Sequence, residues 1–487
     1  MELLSPAGNI DKLRYCYAYG ADAAYIGLKN FSLRVKADNF YEDEYKRVCE
    51  LKKQFPGRHL HCALNISFHN HEIDRLVENI PYFKQYPIDA FIVQDLGIVP
   101  ILQKEFPDAK LHLSTQASCM NREAVKVYKS LGFSRVVMGR EASLKEIAEI
   151  KDAVPDMEIE CFVHGAMCIA YAGRCLMSAY LNGRSAQEGY CSHTCRWEYN
   201  VLQESPYSDE VKNLAQSGKL VLEEQKRPGE YFPVYEGENF TAVLSSKDLC
   251  MVDHLEDLKK AGVDSLKIEG RMKSIYYVAL TTRAYRKALD ALDGKITAQE
   301  AFPFVQELYK ASHRPFATGF YYNKADADVT VSGASESEWE LSAEMGNPIS
   351  EDETNKILQH GESLKNQREA EYNSLVPEAK KAWDERVKAL PDRYLPTVEK
   401  KSGWKMYPLT AMNMITQDTK LEAVTPDTTG FSLEAGHYQL VNPKTGEIYR
   451  WCCDGHPCML YTDIFIPPHT LLRSPASPAK KKSREDI

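Results

Sequence analysis

Lys110-Leu111-His112-Leu113-Ser114, the amphipathic stretch 121–131 and Arg135-Val136-Val137-Met138 together decide how the chain folds. A short apolar run, a stretch with helical spacing and a second short apolar run make one βα unit and the start of the next. Working outward, the same alternation places strands at 2–4, 23–27, 59–65, 90–93, 158–163, 242–245 and 265–269, with helices at 9–19, 42–55, 143–153 and 252–261. Repeated βα units of this count predict an α/β chain built on a TIM-type (βα)8 barrel. Nine strand candidates compete for eight places, and 242–245 is the weakest.

Polar residues stand just where these strands end: Asn65, Gln94, Gln116, Arg140 with Glu141, His164, then Lys267, Glu269 and Arg271. In such a barrel the C-terminal strand ends and their loops form the active face, so these side chains converge on one pocket. Each has a plainer reading. A strand-end amide ties down the following loop, and an Arg–Glu pair is a salt bridge.

The segment after 158–163 carries four cysteines, Cys168, Cys175, Cys191 and Cys195, separated by six, fifteen and three residues and interleaved with Gly165, Gly173, Gly183 and Gly189. Four thiols suit zinc or an iron–sulfur cluster. Structural zinc sites use two close pairs, whereas only Cys191 and Cys195 are close here. Met167, Ile169, Ala170, Leu176 and Met177 would make an apolar shell of the kind that tunes a cluster. Spacing thus favours iron–sulfur, with zinc and ordinary buried cysteines left open. His164 could ligate, donate a proton or cap its strand, and with four thiolates completing a ligand set, substrate contact is favoured.

Thirteen cysteines in 487 residues follow no disulfide framework, and the start lacks a signal-peptide pattern. No apolar run is long enough to span a bilayer. A soluble, reducing, cytoplasmic setting without a membrane partner is expected. The net charge of −9 argues against a generally basic surface, and no DNA partner is expected. A local lining can still hold phosphate: Arg174, Arg184 and Arg196 surround the cysteines, while Lys273, Arg283 and Arg286 follow the last strand. Tyr171, Tyr180, Trp197 and the Tyr276-Tyr277 pair offer planar faces for bases, or ordinary packing.

The run His164-Gly165-Ala166-Met167-Cys168 through Gly173-Arg174-Cys175-Leu176-Met177-Ser178, the opening Glu2-Leu3-Leu4-Ser5-Pro6-Ala7-Gly8 and Lys267-Ile268-Glu269-Gly270-Arg271 resemble the peptidase U32 family over residues 1–335. Residues 191–199 are most similar to its tRNA 5-hydroxyuridine-forming branch. The resemblance implies a 4Fe-4S cluster on Cys168, Cys175, Cys191 and Cys195, with Cys250 the alternative fourth ligand, and hence iron–sulfur assembly proteins as partners. It implies prephenate-dependent hydroxylation of the wobble uridine of tRNA. His164, Lys267 and Glu269 are then candidate catalytic residues; Arg140, Arg174, Arg271, Gln116, Asn65 and Gln94 are candidate substrate contacts. Other members hydroxylate ribosomal RNA or a quinone precursor, or bear a collagenase label, and a noncatalytic redox-sensing scaffold is a further alternative. Proteolysis is disfavoured by the residues themselves: there is no helical His-Glu-x-x-His pair and no Gly-x-Ser-x-Gly elbow.

Past the barrel, 336–400 reads as a linker followed by a charged helical insertion, 401–473 as a small β-barrel and 474–487 as a disordered basic tail. Cys452, Cys453, His456 and Cys458 have metal-ligand chemistry but lack a distant matching pair, so buried or incidental thiols are the expectation.

Overall fold

The computed structural model describes residues 1–28, 31–32, 38–168, 170–182, 184–186, 190–197, 246–323, 335 and 337–476, and between 198 and 245 the backbone of four short strands. The chain divides into two compact units, Met1–Glu336 and Ser337–Ile487.

In the first unit, β1 (Glu2–Pro6), β2 (Ala23–Ile26), β3 (His59–Leu64), β4 (Ala90–Val93), β5 (Lys110–Leu113), β6 (Arg135–Val137), β7 (Glu158–Ala166) and β8 (Ser265–Ile268) pair in parallel in that order. Pairing of β8 with both β7 and β1 closes the barrel. Helices Ile10–Ala18, Arg122–Ser130, Leu144–Ala153 and Ile275–Leu292 start where a side chain caps the first turn: Asn9, Asn121, Ser143 and Ser274 each accept from a backbone N–H three residues on. Outward positions such as Leu3, Ile26, Leu60, Phe91, Leu113, Val136, Ile159 and Leu266 are buried, which is why these strands read as nearly continuous apolar runs. Of the ninth candidate, 242–245, only Ala242 is described, and it lies outside the barrel sheet. Thr241–Ala242 pairs only with Tyr235–Glu236, and 243–245 lie outside the described residues.

The inner layer near the start of the strands is charged. Arg135 reaches Glu2 (2.5 Å), Glu158 (2.7 Å) and Glu160 (3.0 Å), and Lys267 Nζ lies 2.6 Å from Glu160 Oε1. His61 and His112 sit beside them, rings 4.8 Å apart and edge-on. Burial opposes ionisation of Glu2, but Arg135 outweighs it and holds that carboxyl down at about 2. Burial lowers His61 to about 4 and His164 to about 3, and also pushes His112 well down.

These histidines set an acid limit on stability. The unfolded chain binds their protons below about pH 6.5 while the folded chain does not. Their contribution is therefore complete above that pH and falls as the solution is acidified toward about 4. Each costs about 1.4 kcal/mol per pH unit across its window. The urea midpoint should drop measurably between about pH 7.5 and about pH 5, before most carboxylates titrate. A flat midpoint over that interval would show that the histidines are charged or hydrated in the fold.

The second unit is a seven-stranded antiparallel sheet that curls into a nearly closed barrel, in the order Ser432–Leu433, Leu421–Val424, Leu471–Pro475, Trp339–Met345, Lys405–Ala411, Cys458–Thr462, Tyr438–Val441. Two readings change. Residues 339–345, expected in a linker, form a central strand, and Ser474 and Pro475, expected in the tail, pair with Glu340 and Trp339. The rest of the tail, 477–487, lies outside the described residues. Helices Glu351–Ser374 and Pro377–Ala389 follow the first strand, and Ile357 and Leu358 of the former pack with Met406, Val441, Met459 and Tyr461. Cys452 and Cys458 are buried in the apolar core, and Cys453 Sγ is 3.3 Å from His456 Nδ1.

Candidate active site

A cavity of about 270 Å3 opens at the C-terminal ends of the barrel strands. Tyr25, Ala63, Ile92, Val137 and Phe162, inward residues of β2, β3, β4, β6 and β7, line its floor. Asn65, Gln116, Arg140, Lys267, Glu269 and Arg271, all read from the sequence, line it too. Arg140 donates to the Ala166 carbonyl (2.5 Å) and to Glu269 Oε2 (3.0 Å), and its guanidinium lies 3.9 Å from the Phe162 ring centre. Three contacts of different kinds hold that cation in one orientation. Lys267 is fixed from below by Glu160 and lies 4.7 Å from the centre of the Tyr25 ring. Arg196 and Lys273 complete a cationic lining in which the carboxylates are Glu141 and Glu269. Burial lowers Lys273, with Asp248 opposing and Arg196 adding to the fall.

The cysteine segment lines the same cavity, and the chain is pinned there by specific contacts. Ser118 Oγ donates to the Ala172 carbonyl (2.5 Å), and Arg196 Nη2 to the Met167 carbonyl (3.0 Å). Ser178 Oγ accepts from Ser192 N (3.0 Å), which draws the stretch after Cys175 against Cys191. Gly173 takes φ +73°, and a Cβ there would meet the Gln116 carbonyl oxygen at 2.2 Å, so only glycine permits this approach to the turn after β5. His193, at φ +59°, turns the chain back between Cys191 and Cys195.

Cys168, Cys175, Cys191 and Cys195 all line the cavity. Burial raises the Cys195 thiol, Arg196 opposes this, and Cys168, Cys191 and Cys175 add to the rise, as they do only when the four are neighbours. Among the described residues no three His, Cys, Asp or Glu side chains group closely enough for a metal ion. A single zinc, with sulfurs at about 2.3 Å, would draw its thiolates to within about 4 Å of one another. Four thiols lining one cavity are a donor set of the kind that an iron–sulfur cluster takes at its corners. Cys250 is placed differently. It pairs across strands with His164, its Sγ is 3.9 Å from Tyr285 Oη, and it does not line the cavity.

Three other sequence-derived site residues also lie elsewhere. His164 is buried behind the wall among Tyr277, Tyr285 and Phe316, with Nδ1 3.4 Å from Tyr285 Oη. The cause is a register shift: Lys267 opposes Phe162, but Ile268 opposes His164, and this bulge turns His164 outward where strict alternation would aim it inward. Gln94 donates to Ser67 Oγ (2.9 Å) and does not line the cavity. Arg174 is exposed beside the cavity, and Arg196 supplies the inward guanidinium of the cysteine segment. Two supposed rim cations are inside the fold: Arg283 lies beneath Phe304, and Arg286 pairs with Asp22 and Asp290. Tyr276 and Tyr277 are core residues, and Tyr277 donates to the Glu269 carbonyl (2.9 Å). Tyr171, Tyr180 and Trp197 stay exposed on the cysteine segment, joined there by Tyr190.

Comparison with known proteins places this geometry in a lineage. The chain is 40% identical over 344 residues to tRNA hydroxylation protein P of Escherichia coli K12, covering 66% of this chain and 74% of that one. It is 34% identical over 327 residues to an uncharacterized protease of Methanocaldococcus jannaschii, covering 66% and 73%. Against a 23S rRNA 5-hydroxycytidine synthase of Escherichia coli it is 33% identical over 336 residues, covering 68% and 46%. The model of peptidase family U32 matches residues 8–330, the barrel and its cysteine segment together. The chain belongs to peptidase family U32.

Proposed function

We propose that this chain is an RNA hydroxylase, that its substrate is the wobble uridine of tRNA, converted to 5-hydroxyuridine, and that prephenate is its co-substrate. The observation that carries the reading is the cavity itself, which is lined by four cysteines together with Arg140, Lys267, Arg271 and Lys273. Similarity to proteins named for tRNA hydroxylation and for rRNA 5-hydroxycytidine synthesis supports RNA as the substrate class.

The donor set fits a 4Fe-4S cluster on Cys168, Cys175, Cys191 and Cys195, which would supply one-electron chemistry at the cavity wall. Such a cluster makes iron–sulfur assembly proteins partners of the chain. The remaining residues bind and orient. Arg140 and Arg271 present guanidinium groups to the carboxylates of prephenate, a pairing that favours two-point contact. Asn65 and Gln116 carry amides that match the edge of a base, while Lys267 and Glu269 are placed to hand over and take up a proton. Exposed Tyr171, Tyr180 and Trp197 offer stacking faces for the neighbouring nucleotides of an unpaired loop. A tRNA substrate places the chain in the cytoplasm. No helix among the described residues is long and apolar enough to cross a membrane. Proteolysis gains no support from His164, the histidine nearest the first cysteine, because it is sealed behind the wall.

The test in cells is mass spectrometry of nucleosides from tRNA and ribosomal RNA in a strain lacking the chain, complemented with wild type or Arg271→Ala. Loss of 5-hydroxyuridine from tRNA, restored by wild type and not by the variant, is the expected result. A loss confined to ribosomal 5-hydroxycytidine would move the substrate, and unchanged nucleosides would remove the hydroxylase reading.

A further inference from the structure

We propose that Gly27 and Asn39 are positioning residues: they form the seat in which the Arg271 guanidinium lies, and through that arginine they govern how tightly the cavity takes a carboxylate. The proposal rests on the reading of Arg271 as a carboxylate-binding group, and it adds two residues that the cavity lining does not contain.

Arg271 is held at both ends. Its carbonyl oxygen accepts from Lys12 Nζ (3.3 Å) and comes so near Gly8 that a Cβ there would meet it at 2.1 Å. The guanidinium carbon lies 5.9 Å from the centre of the Tyr25 ring, which is fixed in turn because Tyr25 Oη donates to the Ile268 carbonyl (2.9 Å). The residue is buried. At its far end Nη1 reaches Gly27, the residue just after β2. A Cβ on Gly27 would meet Arg271 Nη1 at 2.2 Å, Ser32 Oγ at 2.6 Å and Asn39 Oδ1 at 2.7 Å. One guanidinium nitrogen and two oxygens thus gather where a methyl group would stand.

The cover of this seat is tied down. Phe40 N–H donates to the Gly27 carbonyl (3.0 Å) and Asn39 N–H to the Gly8 carbonyl (2.9 Å), so residues 39 and 40 link the two glycines against which Arg271 packs. Asn39 takes φ +53°, a left-handed conformation that asparagine tolerates better than most residues. Gly27 takes no positive φ, so its backbone is open to alanine and only the contact is at stake. The three atoms in the way are all side-chain ends, and Nη1 is the nearest. Alanine at 27 therefore spares the barrel and moves the guanidinium. A seated guanidinium loses little freedom when a carboxylate docks, whereas a displaced one must first be ordered.

The test uses the full chain and measures prephenate binding by calorimetry in wild type, Gly27→Ala, Arg271→Lys and the double variant, with malonate titrated in parallel as a plain dicarboxylate. Thermal midpoints report folding. Gly27→Ala is expected to bind prephenate about tenfold more weakly than wild type. Lysine is shorter and lacks the fork that fills the seat, so adding Gly27→Ala to Arg271→Lys should change affinity by no more than about twofold. A merely structural effect of the alanine would appear in both backgrounds. If Gly27→Ala does not fold, Asn39→Gly keeps the left-handed backbone and removes Oδ1, and it should weaken binding in the same arginine-dependent way. Affinity unchanged by Gly27→Ala, or the same loss with lysine at 271, overturns the proposal and leaves the hydroxylase reading standing. Wild type that takes malonate and not prephenate, with the same dependence on Gly27, would keep the seat and discard prephenate as co-substrate. Wild type that takes neither overturns the proposal.

Discussion

Cys195→Ser protein purified without air is expected to hold at least about tenfold less iron than wild type and to lose visible absorbance, while Cys250→Ser protein keeps both. Iron–sulfur ligation requires thiolates that point to one volume, and the structure puts Cys195 on the cavity wall with Cys168, Cys175 and Cys191. Cys250 sits on the short strand Asp248–Cys250 that pairs with the end of β7, its Sγ 3.9 Å from Tyr285 Oη and outside the cavity lining. The two serine variants therefore separate the candidates for the fourth ligand. Iron retained by Cys195→Ser and lost from Cys250→Ser would reverse the assignment.

The second large effect concerns stability. Glu160 is fully buried in the barrel with Lys267 at 2.6 Å and Arg135 at 3.0 Å. Burial alone would raise its carboxyl, and the two cations more than reverse this. Glu160→Gln removes the shared anion and strands Lys267, whose side chain is 5% exposed, with no carboxylate of its own. Breaking a buried pair in this way costs about 3–5 kcal/mol. Replacing both partners with apolar residues, Glu160→Leu with Lys267→Met, should recover much of the loss, because neither charge is then buried alone. Urea denaturation of the three proteins measures this directly. A loss under about 1 kcal/mol in Glu160→Gln would mean that the pair is solvated and that Lys267 is not held from below.

Much of the barrel was legible because β-strands and helices impress different periods on a sequence, and eight of nine apolar runs became its strands. The polar residues at strand ends were legible as a set, because the fold brings every such end to one mouth. Individual orientations were not. His164 is the clearest case: one extra residue in β7, visible only once β8 is laid beside it, turns the imidazole from the cavity to the core. Gln94 went astray for a simpler reason, since Ser67 from the preceding loop is near enough to hold its amide.

The charged inner layer was written openly in His59-Leu60-His61, Lys110-Leu111-His112 and Glu158-Ile159-Glu160, with a polar residue at every second place. It went unread because barrel interiors are usually filled by branched apolar side chains. Residues 339–345 hid for the opposite reason. Trp339-Glu340-Leu341-Ser342-Ala343-Glu344-Met345 alternates weakly, and its partners at 405–411 and 471–475 are far along the chain, so only the folded sheet reveals a central strand.

The most direct test of the central claim is reconstitution. Purified chain, loaded with iron and sulfide in the absence of air, is incubated with tRNA lacking the modification, with and without prephenate, and the nucleosides are analysed by mass spectrometry. The account predicts 5-hydroxyuridine at the wobble position with wild type and prephenate together, and none with Cys175→Ser. Equal product without prephenate, or from the Cys175→Ser protein, would contradict it.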